Sequence, residues 1–135
     1  MTKRHYEETT RDIRIAVEPA FLDEQSEPDE NRYLWSYHIT IENKSDDTVQ
    51  LLSRYWRITD SRGRVREVRG DGVIGEQPVL KPGTSFEYTS GAPLETPSGF
   101  MGGSYRMRSG TSGELFDVGI PLFALESPYE PKRVH

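Results

Sequence analysis

Tyr33-Leu34-Trp35-Ser36-Tyr37-His38-Ile39-Thr40-Ile41-Glu42 decides the fold class, because its side chains alternate. In an extended chain Tyr33, Trp35, Tyr37, Ile39 and Ile41 share one face, while Ser36, His38, Thr40 and Glu42 share the other. Working outward, residues 12–18 bring Ile13, Ile15 and Val17 to one face, with Pro19 as the expected stop. Residues 49–59 form a second long run, Asp60-Ser61-Arg62-Gly63 reads as a hairpin turn, and residues 64–69 return. In that return strand Val65 and Val68 are three apart, which predicts a bulge. Residues 85–90, 99–107 and 114–125 supply further strands, the last two flanking a turn at 108–113. About seven short strands with almost no helical periodicity predict an all-β fold, an antiparallel β-sandwich with two sheets around one core. A small barrel is the alternative. The expected domain is 11–127, with flexible tails at 1–10 and 128–135. The acidic segment 25–32, with Pro28, reads as a mobile solvated loop.

A chain of 135 residues suits one such domain. It has no cysteine, which excludes disulfides, thiolate catalysis and Cys-type zinc sites. Residues 1–8 have no apolar leader pattern and no long uncharged apolar run follows, so a cytoplasmic protein without membrane contact is expected. Asn43-Lys44-Ser45 fits a glycosylation sequon but reads more simply as a turn. The net charge of −5 disfavours nucleic acid as a partner. Charge is nevertheless segregated. Residues 7–30 carry nine acids against Arg11 and Arg14, whereas 54–69 carry six arginines against Asp60 and Glu67.

That basic block runs into Gly70-Asp71-Gly72-Val73-Ile74-Gly75, a GxGxxG string. A dinucleotide site needs a helix after such glycines, and Pro78 and Pro82 forbid one, leaving a loop between strands. Two readings stand. Successive amides at Gly70, Gly72 and Gly75 could form a nest for a phosphate-containing small ligand, clamped by Arg66 and Arg69. Alternatively, the glycines serve a structural corner. Arg54-Tyr55-Trp56-Arg57 is a candidate protein-interaction patch, since these residue types dominate interface hot spots.

Catalytic constellations are poorly supported. His38 is the single histidine within the expected domain, on the face opposite Trp35 and Tyr37, and no GxSxG elbow occurs. The acids between Asp23 and Glu30 lack calcium-loop spacing, so no metal or cofactor is implied. Base stacking on Tyr33, Trp35 and Tyr37 is conceivable, but the same face makes a β-core.

Arg54-Tyr55-Trp56, Ile58-Thr59-Asp60, Glu67-Val68, the loop 70–78, Pro82-Gly83, Tyr88-Thr89-Ser90-Gly91, Thr96-Pro97, Gly99, Met101, Gly103, Tyr105 and Met107 together resemble the ApaG family, also called CorD or DUF525. The resemblance covers about residues 6–128. It implies a single sandwich similar to fibronectin type III and immunoglobulin domains, with links to cobalt tolerance and magnesium efflux. Related genes neighbour those of a diadenosine tetraphosphatase and a ribosomal RNA dimethyltransferase. Similar domains within eukaryotic F-box proteins and a DNA-polymerase-delta-interacting protein point to partner binding, and the family implies no particular reaction. The function expected is therefore a non-enzymatic protein-binding module. The alternatives are a sensor of pyrophosphate or a nucleoside polyphosphate and, behind it, a metal-dependent phosphohydrolase. Exposed sheet edges would allow a homodimer.

Overall fold

The computed structural model describes residues 5–130. Nine strands follow in order: β1 (Tyr6–Thr10), β2 (Ile13–Phe21), β3 (Tyr33–Asn43), β4 (Val49–Asp60), β5 (Val65–Asp71), β6 (Val79–Leu80), β7 (Ser85–Leu94), β8 (Gly99–Ser109) and β9 (Leu115–Leu125). They build two antiparallel sheets, β1-β2-β3-β7 and β5-β4-β8-β9, with β6 paired to the start of β4. The fold is the expected all-β sandwich of the fibronectin type III and immunoglobulin-like kind.

Nine strands rather than about seven arise because β1 and β6 carry weak patterns. Residues 6–10, expected in a flexible tail, pair with β2 from Tyr6↔Val17 to Thr10↔Ile13. The connecting turn is Arg11-Asp12, both at positive φ (48° and 63°), a two-residue hairpin without glycine. Strand β2 also continues through Pro19 to Phe21. Beyond Val17 it has no β1 neighbour, so a proline there removes no ladder bond on that side. The segment 22–32 is organised as two single 3₁₀ turns, Asp23–Gln25 and Pro28–Glu30. Within the expected C-terminal tail, Tyr129 packs against Phe21 and Tyr33 and donates to Asp23 Oδ1 at 2.9 Å. The rest of that tail, 131–135, lies outside the described residues, as do residues 1–4 of the N-terminal one.

Strand β3 makes the central wall as its alternation dictates: Tyr33, Trp35, Tyr37, Ile39 and Ile41 are all buried. Trp35 donates its indole N–H to the Glu126 carbonyl at 2.8 Å. From the other sheet Trp56, Met101, Tyr105 and Phe123 complete the core. Across it the Tyr88 and Tyr105 hydroxyls meet at 2.5 Å. Burial raises the pKa of both well above the usual phenol range, which keeps the pair neutral.

The bulge expected in residues 64–69 is absent, since β5 pairs with β4 in unbroken register. Its weak alternation reflects an edge strand with mostly exposed side chains. The irregularities lie between Leu51 and Ser53 on β4 and between Met101 and Gly103 on β8. Asn43, fully buried, gathers the following turn by donating to the Asp47 and Leu80 carbonyls and accepting from Ser45.

Candidate functional site

The Arg54-Tyr55-Trp56-Arg57 quartet sits on β4, and strand alternation splits it between the two faces of its sheet. Trp56 points inward, 3% exposed, packed on Tyr37 and Phe123 at ring separations of 5.2 and 6.0 Å. It is a core residue and cannot serve as a contact anchor. Arg54 also turns inward, where one guanidinium nitrogen donates to the carbonyls of Asp71 and Gly72 at 3.0 and 2.9 Å. Tyr55 and Arg57 face outward, so half of the proposed contact patch is displayed.

On that outer face the sequence signal was incomplete. Across β4, β8 and β9 the register sets Arg57 opposite Gly102, and Thr59 opposite Phe100. Leu122 lies beyond Gly102, its methyl carbon 3.3 Å from where a Cβ at Gly102 would stand. Phe100 and Leu122 are 41% and 63% exposed, large apolar side chains left in water. Together with Tyr55 and Arg57 they line a shallow groove of about 340 Å³. At its edge Thr59 is buried, and its Oγ1 has no hydrogen-bond partner among the described residues. Arg69 extends the patch by stacking its guanidinium 4.6 Å from the Tyr55 ring centroid. Phe100 and Leu122 escape a sequence reading because each interrupts its strand's pattern by facing solvent.

The glycine string resolves into three separate tasks. At Gly70 a Cβ would collide with the Arg54 guanidinium at 2.8 Å, so this glycine clears room for that side chain. At Gly72 (φ +62°) a Cβ would meet the Glu76 carbonyl oxygen at 2.2 Å, so the second lets the chain fold back on itself. Gly75 (φ +78°) and Ile74 (φ +43°) are the central pair of a tight turn in which Val73 and Glu76 exchange backbone hydrogen bonds at 2.8 and 2.9 Å. The Gly72 amide donates to the Leu52 carbonyl at 2.8 Å. Three amides of the segment, at positions 72, 73 and 76, are thus committed within the protein. Nor do the flanking arginines converge. Arg66 and Arg69 are three apart on β5 and point to opposite faces, Arg69 onto Tyr55 and Arg66 toward the gap between the sheets. Of the expected site residues Gly70, Gly72, Gly75, Arg66 and Arg69, the Gly72 amide is thus committed to Leu52, and the two arginines lie on different faces of β5.

His38 lies on the outer face of the other sheet, bonded to Thr89 Oγ1 at 2.8 Å and Glu87 Oε1 at 2.9 Å. The connectivity resembles a nucleophile–base–acid row, but the histidine is 40% and the glutamate 60% exposed. All three side chains come from paired strands of one flat face, where water solvates the charges that a catalytic site would have to shelter. Among the described residues no group of three or more His, Asp or Glu is placed to hold a metal ion.

The ApaG domain family model, DUF525, matches residues 23–109, which span β3 to β8. The chain belongs to the ApaG family. It is 59% identical over 128 residues to Protein ApaG of Rhodospirillum centenum, covering 95% of this chain and 98% of the relative. To Protein ApaG of Parvibaculum lavamentivorans it is 56% identical over 130 residues, covering 96% and 99%. Among solved structures, the putative ApaA protein of Bordetella pertussis superposes with a TM-score of 0.82 at 43% identity, covering 91% of this chain and 96% of that one. ApaG membership agrees with the resemblance carried by the Arg54-Tyr55-Trp56 and glycine-loop segments. Among the described residues no helix is long and apolar enough to cross a membrane.

Proposed function

We propose that this ApaG protein is a non-enzymatic, cytoplasmic protein-binding module whose contact surface is the outer face of the β5-β4-β8-β9 sheet. The observation that carries this reading is the apolar pair Phe100 and Leu122, left in water beside Tyr55 and Arg57 on a flat, strand-built surface. Aromatic, arginine and apolar side chains around a desolvated centre are the composition of an interface core. The lack of a side chain at the buried Gly102 lets Leu122 lie against the sheet there. A rigid sheet limits the ordering cost of association. The links of the family to cobalt tolerance and magnesium efflux fit a role exerted through a partner.

The test is comparative capture. Partners recovered by the wild-type chain and lost with Leu122→Asp, then shown to bind in purified form, are the expected result. A partner retained equally by Leu122→Asp and Phe100→Asp, both folded by circular dichroism, would sink the outer-face assignment. Steady turnover of a nucleotide substrate by the purified protein, abolished by His38→Ala, would sink the non-enzymatic one.

A further inference from the structure

The sandwich gapes along the side where its edge strands β7 and β5 face each other. Between them runs a cleft of about 310 Å³, at the lower end of the ~300–1,000 Å³ range of small-molecule sites. Arg54 and Arg66 both line it, and no carboxylate does. In a chain with 22 acids against 17 basic residues, two arginines without an acid are a departure from the average. The neighbouring depression, which Arg66 also borders, is the useful contrast: there Arg64 is neutralised by Asp60 at 2.7 Å and Glu95 at 3.4 Å.

Neither cleft arginine is so occupied. Arg54 uses one terminal nitrogen on the Asp71 and Gly72 carbonyls, and its remaining N–H groups have no partner among the described residues. Those two bonds fix the fork, and Gly70 leaves space for it. The Arg66 side chain makes neither a hydrogen bond nor an ion pair among the described residues. The positive charge of Arg54 also reaches the hydroxyls of Tyr37 and Tyr88, which line the same cleft. The apolar lining lies on the same wall as the arginines: Trp56 and Val68 sit two residues along from Arg54 and Arg66 on β4 and β5, and Val73 and Ile74 follow β5, while β7 forms the wall across. Ile74 is 57% exposed and held at φ +43°, a conformation unfavourable for a β-branched residue. An exposed isoleucine held against its backbone preference at the mouth of a cleft marks a surface shaped for contact.

We infer that this cleft binds a small organic carboxylate, with the anion on Arg54 and Arg66 and an apolar body against Val68 and Ile74. A planar carboxylate matches the guanidinium fork. A polyphosphate would press unsatisfied oxygens on the apolar wall. The site is independent of the outer face and of the loop amides.

The experiment is an NMR titration of the full chain with phenylacetate, phenylacetamide and inorganic pyrophosphate at constant ionic strength. Phenylacetate is expected to shift the amides of Val68, Val73 and Ala92 saturably below roughly 20 mM, with the neutral amide at least about fivefold weaker. Arg66→Gln, an exposed and unpartnered position, is expected to weaken phenylacetate about fivefold or more with an unchanged melting temperature. Equal binding of phenylacetamide, unchanged affinity in Arg66→Gln, shifts confined to the outer face, or no saturable shift would each overturn the site. Tighter binding of pyrophosphate than of phenylacetate would overturn the carboxylate assignment.

Discussion

Where β1 and β2 meet β9, the two sheets are stitched: Arg11 pairs with Glu114 at 3.1 Å and covers the Phe116 ring at 4.2 Å, while Gly119 donates to Thr10 Oγ1 at 3.2 Å. Tyr6 adds an aromatic contact to Phe123. On the opposite side β5 and β7 leave a cleft, joined at its floor by the Tyr88–Tyr105 bond and at one end by Arg64 and Glu95. The difference teaches how one fold divides labour. Partnered arginine closes the first side, and unpartnered arginine leaves the second available to an anion.

The largest way to break this comparison is at the stitched side. Phe123 touches Tyr6, Tyr37 and Trp56, so Phe123→Ala is expected to cost about 3–5 kcal/mol in urea unfolding, by lost transfer energy plus a cavity. A loss below about 1 kcal/mol would mean that this side does not hold the sheets. At the floor of the open side, Tyr105→Phe leaves the Tyr88 hydroxyl buried without its partner and is expected to cost about 1–3 kcal/mol. The double variant with Tyr88→Phe should cost less than the sum of the singles, and strict additivity would show that the two hydroxyls do not act as a pair.

Smaller effects sharpen the picture. Ile74→Asn replaces a residue strained at positive φ by one that tolerates it, with an expected gain of about 1 kcal/mol in thermal unfolding together with weaker phenylacetate binding. A destabilised variant would show that Ile74 is unstrained. The smallest effect is a pH dependence. Hydrogen bonds from Ser109 and Thr111 hold the Asp47 carboxyl below its usual range. Its contribution is full above the unfolded value near ~3.9 and is lost as pH falls through the lower folded value. The stability gap between wild type and Asp47→Asn should therefore narrow from about pH 5 to about pH 2. A constant gap would remove Asp47 from the acid response.

Legibility in the sequence followed the strength of the local signal. The inward face of β3 was readable from Tyr33 to Ile41 because buried strands alternate. Strand β1 was not, because Glu7, Glu8 and Thr9 are exposed and the Arg11-Asp12 turn lacks the glycine that marks such hairpins. The burial of Trp56 and display of Tyr55 follow from alternation alone once β4 is recognised. Phe100 and Leu122 required the pairing register, since two apolar residues 22 positions apart become neighbours only through β8 and β9. Of the GxGxxG string the sequence showed a β-to-β loop but not the separate task of each glycine, which depends on Arg54, Glu76 and a turn that spacing does not reveal.

The unpartnered edge at β5 has a consequence for how the molecule opens. Apart from the half-buried Val68 and Gly70, every residue of that strand is exposed, so little apolar area is lost when it lifts from β4. Its amide hydrogens should exchange with solvent well before those of β9, whose Val118, Ile120, Phe123 and Leu125 are buried. The β5 wall of the cleft should then open at a lower free energy than the rest of the sandwich, so local opening there would not require global unfolding.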